Sequence, residues 1–428
     1  MVRLRFVHAA DLHLDSPFRG IRSEAPDHVA DALGRATFEA YENIISLCLR
    51  ERADALLVAG DIYDGAERSL RAQLNFVRGL TRLDAAGIRS FVCHGNHDPL
   101  DGWEARLALP PGCVRFGPEV TGEPVFPHEP ERAAVYGVSY PRRDVRENLT
   151  PLFSAAAAGA GFGIGLLHAN VGGNPDHGSY APCSVSDLVE TALDYWALGH
   201  VHTRQVLRRD RPTVVYPGNP QGRHPLETGE RGVYLVEVDD YGAVSLDFRP
   251  VDVVRWETLR RDIAGIETEQ ELLDAVNDAA DIALESAEGR PVIARRTLTG
   301  RGTLHRSLRR GDTLDTLLTQ LNDRYAAAEQ WFWCERIQAD TASPVDREQA
   351  ALREDFVGDL ARIGIELLES PEELAALREL LRPLYTNSNA RQYLGSAALP
   401  SDDELRELLA TAEDECLAGL MADEEPES

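Results

Sequence analysis

A chain of 428 residues, 43% hydrophobic and 27% charged, is long enough for two or three domains with sizeable cores and too apolar for a disordered polymer. Its 71 acids against 44 bases, every base an arginine, leave a formal charge of -27, and a surface of that sign disfavours indiscriminate contact with phosphates. The longest apolar stretch, residues 155–167, is short and rich in Gly and Ala, and residues 1–14 read as a strand instead of a signal peptide, so no membrane span is expected and the cytoplasm is the expected location.

From residue 3 to 249, short β-rich runs alternate with amphipathic helical windows, an α/β pattern. Strands are predicted at 4–8, 55–59, 90–94, 133–138, 163–168, 196–198, 214–216 and 232–238. Helices are predicted with apolar faces at Phe38, Tyr41, Ile45 and Cys48 and at Leu70, Leu74 and Val77, the second closed by Gly87. From about 250 a smaller α/β unit begins, with a Thr268–Glu271 capping box before a helix and strands at 292–298 and 331–337. After 343 the chain turns helical and acidic. An apolar stripe is predicted at Leu352, Phe356, Leu360, Ile363 and Leu367 and another at Leu405, Leu408, Ala412 and Cys416, with capping boxes Ser370–Glu373 and Ser401–Glu404. Residues 341–428 hold 21 acids against 7 arginines, about half the charge excess on a fifth of the chain. The expected domains are 1–249, 250–343 and 344–428.

The six cysteines have no short paired spacing, which argues against a disulfide framework and against a zinc ribbon. Histidines and carboxylates instead gather where predicted strands end: Asp11 and His13; Asp61 and Asp64; Asn96, His97 and Asp98; His168; His200 and His202. One histidine at such a place is usually a satisfied polar group, but five clusters at the carboxyl ends of strands, where open α/β sheets build sites, point to a metal centre. Oxygen donors with imidazoles suit manganese, iron or zinc. Glycines 60, 95 and 199 are expected to let the backbone turn sharply before each cluster. His177 and Tyr180 are candidates to line a groove; His94 is expected to finish its strand, and His28, His128 and His305 to be structural.

As a set, Asp11-Leu12-His13, Gly60-Asp61-Ile62-Tyr63-Asp64, Gly95-Asn96-His97-Asp98, His168 after Leu166-Leu167, and Gly199-His200-Val201-His202 resemble the motifs of the calcineurin-like metallophosphoesterases. Within that family, residues 8–18 and 216–225 resemble the YhaO and SbcD type of DNA repair exonuclease. The resemblance implies a β-sandwich flanked by helices, followed by a small α/β capping domain and a helical C-terminal region. It implies two divalent ions, manganese first and iron or zinc as alternatives, one held by Asp11, His13, Asp61 and His202, the other by Asp61, Asn96, His168 and His200. His97 would stabilise the scissile phosphate or protonate the leaving oxygen, with Asp98 orienting its ring. It also implies an SMC-like ABC ATPase as partner, docked on the region after the capping domain, with a homodimer of the catalytic unit as a further option. Asp64 stands where SbcD-type nucleases often place His, which leaves its role open.

DNA as the other partner requires local charge opposed to the global sign. Residues 291–310 hold Arg295, Arg296, Arg301, Arg306, Arg309 and Arg310 with no acid, and Arg204, Arg208, Arg209 and Arg211 follow His202. The segment reads either as a solvated hairpin or as a patch contacting the sugar-phosphate backbone. The leading expectation is a two-metal DNA exonuclease or endonuclease of repair. The alternatives are a phosphatase or small phosphodiester hydrolase and a scaffold with a vestigial site. Against a protein phosphatase, Asp64 is followed by Gly65 instead of Arg, and His97 by Asp98 instead of Glu.

Overall fold

A computed structural model describes residues 3–18, 25–65, 69–102, 107–156, 161–173, 178–386 and 399–422. Twelve strands build two sheets: β1 (Leu4–Ala9), β2 (Ala55–Ala59), β3 (Arg89–Cys93), β4 (Cys113–Arg115), β5 (Thr121–Pro124), β6 (Ala134–Gly137), β7 (Gly163–His168), β8 (Tyr195–Gly199), β9 (Gln205–Arg208), β10 (Thr213–Tyr216), β11 (Gly232–Val238) and β12 (Val244–Pro250). The first sheet has the order β12-β11-β1-β2-β3-β4 and the second β5-β6-β7-β8-β10-β9. The parallel block β1 to β4 of the first sheet is bordered on its β1 side by antiparallel β11 and β12, and the parallel β6-β7-β8-β10 of the second is flanked by antiparallel β5 and β9.

The parallel strands other than the edge strand β4 are buried on both faces, as their near-continuous apolar runs require. Phe6, Leu57 and Phe91 of the first sheet pack against Val135, Ile164, Leu166 and Tyr195 of the second, which makes the layer between the sheets. The opposite face of the first sheet, Val7, Leu56, Val58 and Val92, is covered by helix α1 (Asp27–Glu51) and helix α2 (Leu70–Ala85) through Ile44, Ile45, Phe76 and Leu80. The outer face of the second carries Leu167, Trp196 and Leu198 with Phe153 and Leu188. The result is a β-sandwich with helices on both sides. Each large side chain fully buried in these layers contributes about 1.5–3 kcal/mol.

The two helices before and after β2 fit their expected places, with a difference in the second. Leu70 and Leu74 are 49% and 47% exposed, and α2 turns Phe76, Leu80 and Leu83 inward instead. Gly79 is the reason the helices approach so closely: a Cβ there would strike the Tyr41 ring, whose hydroxyl donates to the Phe76 carbonyl at 2.9 Å. Gly87 takes the left-handed conformation, φ 76°, as its place after α2 predicts.

The chain divides into two compact units: residues 1–258, 282–295 and 325–335 form one, and 259–281, 296–324 and 336–428 the other. Strands β13 (Arg255–Asp262), β14 (Val292–Arg301) and β15 (Phe332–Ala342) form a third sheet and pass from one unit into the other. In the second unit the Thr268–Glu271 box is made in both directions, as is Ser401–Glu404. Helix Phe356–Glu369 packs Val357 and Ala361 against Leu417 of helix Asp402–Ala422. The predicted stripe is only partly packed: Leu360 lies against this cluster, whereas Leu352, Phe356 and Ile363 are exposed, and on the packed face Gly364 lets the Glu413 side chain approach closely.

Candidate metal centre

All five clusters lie at or just beyond the carboxyl ends of parallel strands β1, β2, β3, β7 and β8, His168 being the last residue of β7. The loops after β1 and β2 stay laddered after the strands end, through Asp11 N to Gly60 O (3.1 Å), His13 N to Asp61 O (3.0 Å) and Leu14 N to Ile62 O (2.9 Å). Gly65 N donates to His97 O at 2.8 Å and ties in the loop after β3. These contacts hold Asp11 (φ 52°), His13 (φ 43°) and Asp61 (φ 49°) in a region that costs an L residue about 1–3 kcal/mol, and His200 (φ 103°) also has positive φ. Of the three glycines expected to turn the chain, only Gly60 has positive φ. The other two are needed for space: a Cβ on Gly95 would meet the Asp61 carboxylate, and one on Gly199 the Ala59 carbonyl.

The ligand atoms of Asp11, His13 and His202 fall within 4.8 Å of one another, as do those of Asp11, Asp61 and His168. Asp61 lies between the groups, its Oδ2 3.3 Å from His168 Nε2 and 3.9 Å from His13 Nε2. Asn96 Oδ1 is 3.0 Å from His168 Nε2. His200 stands beside them, its ring 5.1 Å from that of His168 and its backbone N–H on both Asp11 oxygens at 3.1 Å. Its Nε2 is turned to the Gly178 carbonyl at 2.9 Å.

Hydrogen bonding around the rings tests whether a cation fits. His13 Nδ1 donates to Asp64 (3.0 Å), His202 Nδ1 to Glu227 (2.6 Å) and His168 Nδ1 to the Ala59 carbonyl (3.0 Å). In the neutral ring each Nε2 is then the acceptor nitrogen. Those of His13 and His202 face each other at 3.3 Å, while that of His168 faces Asn96 Oδ1 and Asp61 Oδ2. Nitrogens and oxygens that converge like this need a cation or a proton among them, and an imidazole whose second nitrogen donates to a carboxylate or carbonyl is the usual metal-ligand arrangement. The residues fit a pair of divalent ions.

Without those ions the charges respond to one another. Burial holds His13 down at about 4 and lifts Asp11 to about 6. Burial opposes the protonated form of His168, but the Asp61 and Asp11 carboxylates outweigh it and raise His168 to about 9. Burial likewise works against the Asp61 anion, yet the cationic His168 beside it keeps Asp61 well below the usual carboxylate range.

His97 stands at the rim, its side chain 41% exposed, with Nδ1 2.7 Å from Asp64 Oδ1. Asp98 was expected to orient that ring and does not. Its carboxylate accepts from Ile62 N and Gly95 N at 2.9 and 2.8 Å and lies 3.3 Å from His94 Nδ1, so it fastens the loops after β2 and β3 to each other. Asp64 holds His97 instead. Tyr180 stacks its ring edge to face with His200 at 5.6 Å; His177 lies outside the described residues. His28 packs on Trp331 and His305 bonds Thr341 at 2.9 Å.

The arginines of 291–310 do not form one exposed patch. Arg296 is buried at 1% exposure, which keeps its guanidinium from any phosphate, and Arg295 is taken up by Glu335. Arg301 pairs with Asp414 at 2.6 Å and Arg309 with Glu415 at 3.1 Å. Arg306 and Arg310 are exposed. In the first unit Arg204 stacks on Phe248 at 3.8 Å, and Arg208 lies 4.0 Å from Asp210.

Comparison with known proteins agrees with this geometry. The chain is 38% identical over 339 residues to the metallophosphoesterase YhaO of Bacillus subtilis, covering 79% of this chain and 82% of that one. The chain belongs to the calcineurin-like metallophosphoesterase family. The calcineurin-like phosphoesterase family matches residues 4–204, and the middle domain of metallophosphoesterase YhaO matches 256–342. More distant similarity reaches the DNA double-strand break repair protein Mre11 of Sulfurisphaera tokodaii, 24% identical over 58% of this chain and 60% of that one. The SbcD component of the nuclease SbcCD of Bacillus subtilis is 27% identical over 53% and 64%. Metallophosphoesterases of this family carry a dinuclear metal site, and the ligand groups described above lie where such a site would be built.

Two residues that the sequence did not single out lie at this site, and a third gains a role there. Glu227 orients His202, Arg223 lies 3.6 Å from Asp64 Oδ2, and Asp64, whose role the sequence left open, joins His13 to His97. Arg223 lies inside the 216–225 run, and Glu227 two residues beyond it; that run was the available signal.

Proposed function

We propose that this metallophosphoesterase is a DNA nuclease that hydrolyses phosphodiester bonds in repair, with manganese as its preferred ion. The convergence of the Nε2 atoms of His13, His168 and His202 on the Asp11 and Asp61 carboxylates, each ring's Nδ1 being held from behind, carries the reading. The likeness to Mre11 and to the SbcD component of the SbcCD nuclease favours DNA over a small phosphoester. A pair of divalent ions held there would supply an activated water and neutralise charge on the phosphate. Asp11, His13, Asp61 and His202 would hold one ion and Asp61, Asn96, His168 and His200 the other. The chain's own contribution to the displacement is then a proton. The Nδ1 of His97 is held by Asp64, so its Nε2 faces outward at the rim and can protonate the leaving oxygen as the P–O bond breaks.

Arg306, Arg310 and Arg204 are the arginines whose exposure supports contact with a DNA backbone. Domains 1–249, 250–343 and 344–428 would divide catalysis, DNA contact and partner binding, and the match of the YhaO middle domain to 256–342 supports the second of them. An SMC-like ABC ATPase would bind the C-terminal helices, where Leu352 and Phe356 are exposed, in the cytoplasm. No described helix is long and apolar enough to cross a membrane. A labelled-DNA degradation assay beside a phosphopeptide assay, both with manganese, tests the reading. Release of nucleotides without phosphopeptide turnover is expected, and the reverse pattern would overturn it in favour of a phosphatase.

A further inference from the structure

We propose that Arg223 is the phosphate-binding residue of this centre, taking the non-bridging oxygens of the substrate phosphodiester; the inference rests on the phosphodiester reading above. Arg223 sits on the loop after β10, which leaves the same carboxyl edge of the second sheet as the loops after β7 and β8. The loop is fixed. Gln221, 1% exposed, accepts from Val253 N at 2.9 Å and donates to the Val254 carbonyl at 2.7 Å. Glu227 Oε2 accepts from Arg223 N at 2.7 Å and from Asn219 Nδ2 at 3.0 Å, while its Oε1 holds His202. One carboxylate thus sets both the arginine and a metal ligand.

The guanidinium is less firmly engaged than its loop. Its side chain is 15% exposed, and its Nε is buried without a hydrogen-bond partner. Its nearest carboxylate, Asp64, is 3.6 Å from Nη1, beyond hydrogen-bond reach. Asp64 is already engaged by other partners: Ser16 Oγ donates to its Oδ2 (2.5 Å), and His13 and His97 both face its Oδ1. A largely desolvated guanidinium with donors unused is costly unless an anion completes it. Its planar fork matches two phosphate oxygens at once. In a chain of net charge -27, a cation beside the ligands also offsets the repulsion a phosphate would meet on entering.

The test compares wild type with Arg223→Gln and Arg223→Lys, using inorganic phosphate as the binding probe, bis(p-nitrophenyl) phosphate as a minimal diester, and manganese titration calorimetry. Phosphate affinity should fall about tenfold or more in Arg223→Gln, as expected for removing a charge-assisted bidentate pair, with kcat/KM for the diester falling at least as far. Both variants should bind two manganese ions as wild type does, and Arg223→Lys should recover part of the phosphate affinity. Unchanged phosphate affinity in Arg223→Gln, or its loss together with a manganese ion, would overturn the assignment. The phosphate arm requires no turnover, so a wild type inactive on DNA would sink the nuclease reading while leaving this result to be decided by itself.

Discussion

Asp64 Oδ1 lies 2.7 Å from His97 Nδ1. The same oxygen holds His13 Nδ1 at 3.0 Å, so a residue expected to be a departure from the family pattern is the joint between a ligand and the rim histidine. Burial works against the cationic form of His97, but the hydrogen bond to Asp64 outweighs it and raises its pKa. If the pair acts as a unit, Asp64→Asn and His97→Ala should each lower kcat on a phosphodiester by about 10²-fold or more at saturating manganese. The double variant should then lose little beyond either single change. Multiplicative losses in the double variant would separate the two roles.

Metal binding gives a second set of expectations. The protein should bind two transition-metal ions, with manganese supporting more activity than magnesium because imidazole suits it better. Asp61→Asn and His200→Ala should abolish turnover in a folded protein. Glu227→Ala should weaken manganese binding about 10–100-fold by freeing the His202 ring, whereas His97→Ala should leave both ions bound. Calorimetry read against circular dichroism checks each variant, and manganese loss in His97→Ala would contradict the division of roles.

The grouping of this centre was legible because its candidate ligands sit at strand ends in short motifs: Asp11 and His13, or His200 and His202, announce themselves within three residues. Glu227 did not, since 25 residues separate it from His202 and only the loop after β10 brings them together. Asp98 misled for the opposite reason; it is adjacent to His97 in sequence, but its carboxylate turns back to the Ile62 and Gly95 amides. Edge strands β4, β5, β9 and β12 were also missed, being short or partly exposed and so without a continuous apolar run. Arg296 counted as surface charge because composition cannot show burial within a strand.

A stability prediction follows from His8, a buried residue between the sheets that accepts from the Tyr195 hydroxyl at 3.0 Å and donates to the Leu198 carbonyl at 3.2 Å. Burial lowers its pKa from 6.5 to about 3. The unfolded chain therefore takes up a proton below pH 6.5 that the folded one refuses. Full stability is present above 6.5 and is lost as pH falls toward 3, at up to about 1.4 kcal/mol per pH unit from this group. In His8→Gln, which can keep both bonds, urea unfolding between pH 6.5 and 4.5 should show a shallower decline than wild type. Equal slopes would mean that other groups carry the acid sensitivity.

The arginines of β14 and the segment after it should separate by their neighbours. Arg306 and Arg310 are exposed and, among the described residues, carry no side-chain ion pair, so Arg306→Gln with Arg310→Gln should weaken DNA binding across sequences. The slope of log K against log salt should flatten by about one for each phosphate no longer neutralised. Arg296→Gln should leave that slope unchanged, because a guanidinium at 1% exposure meets no phosphate. Arg301 and Arg309 fall between these cases: Asp414 and Glu415 on helix Asp402–Ala422 already neutralise them. Removing that competition with Asp414→Asn and Glu415→Gln should tighten DNA binding and steepen the salt dependence. Binding measured from 50 to 200 mM salt decides it: a double acid variant that binds no better than wild type would show that Arg301 and Arg309 serve only to hold the helix.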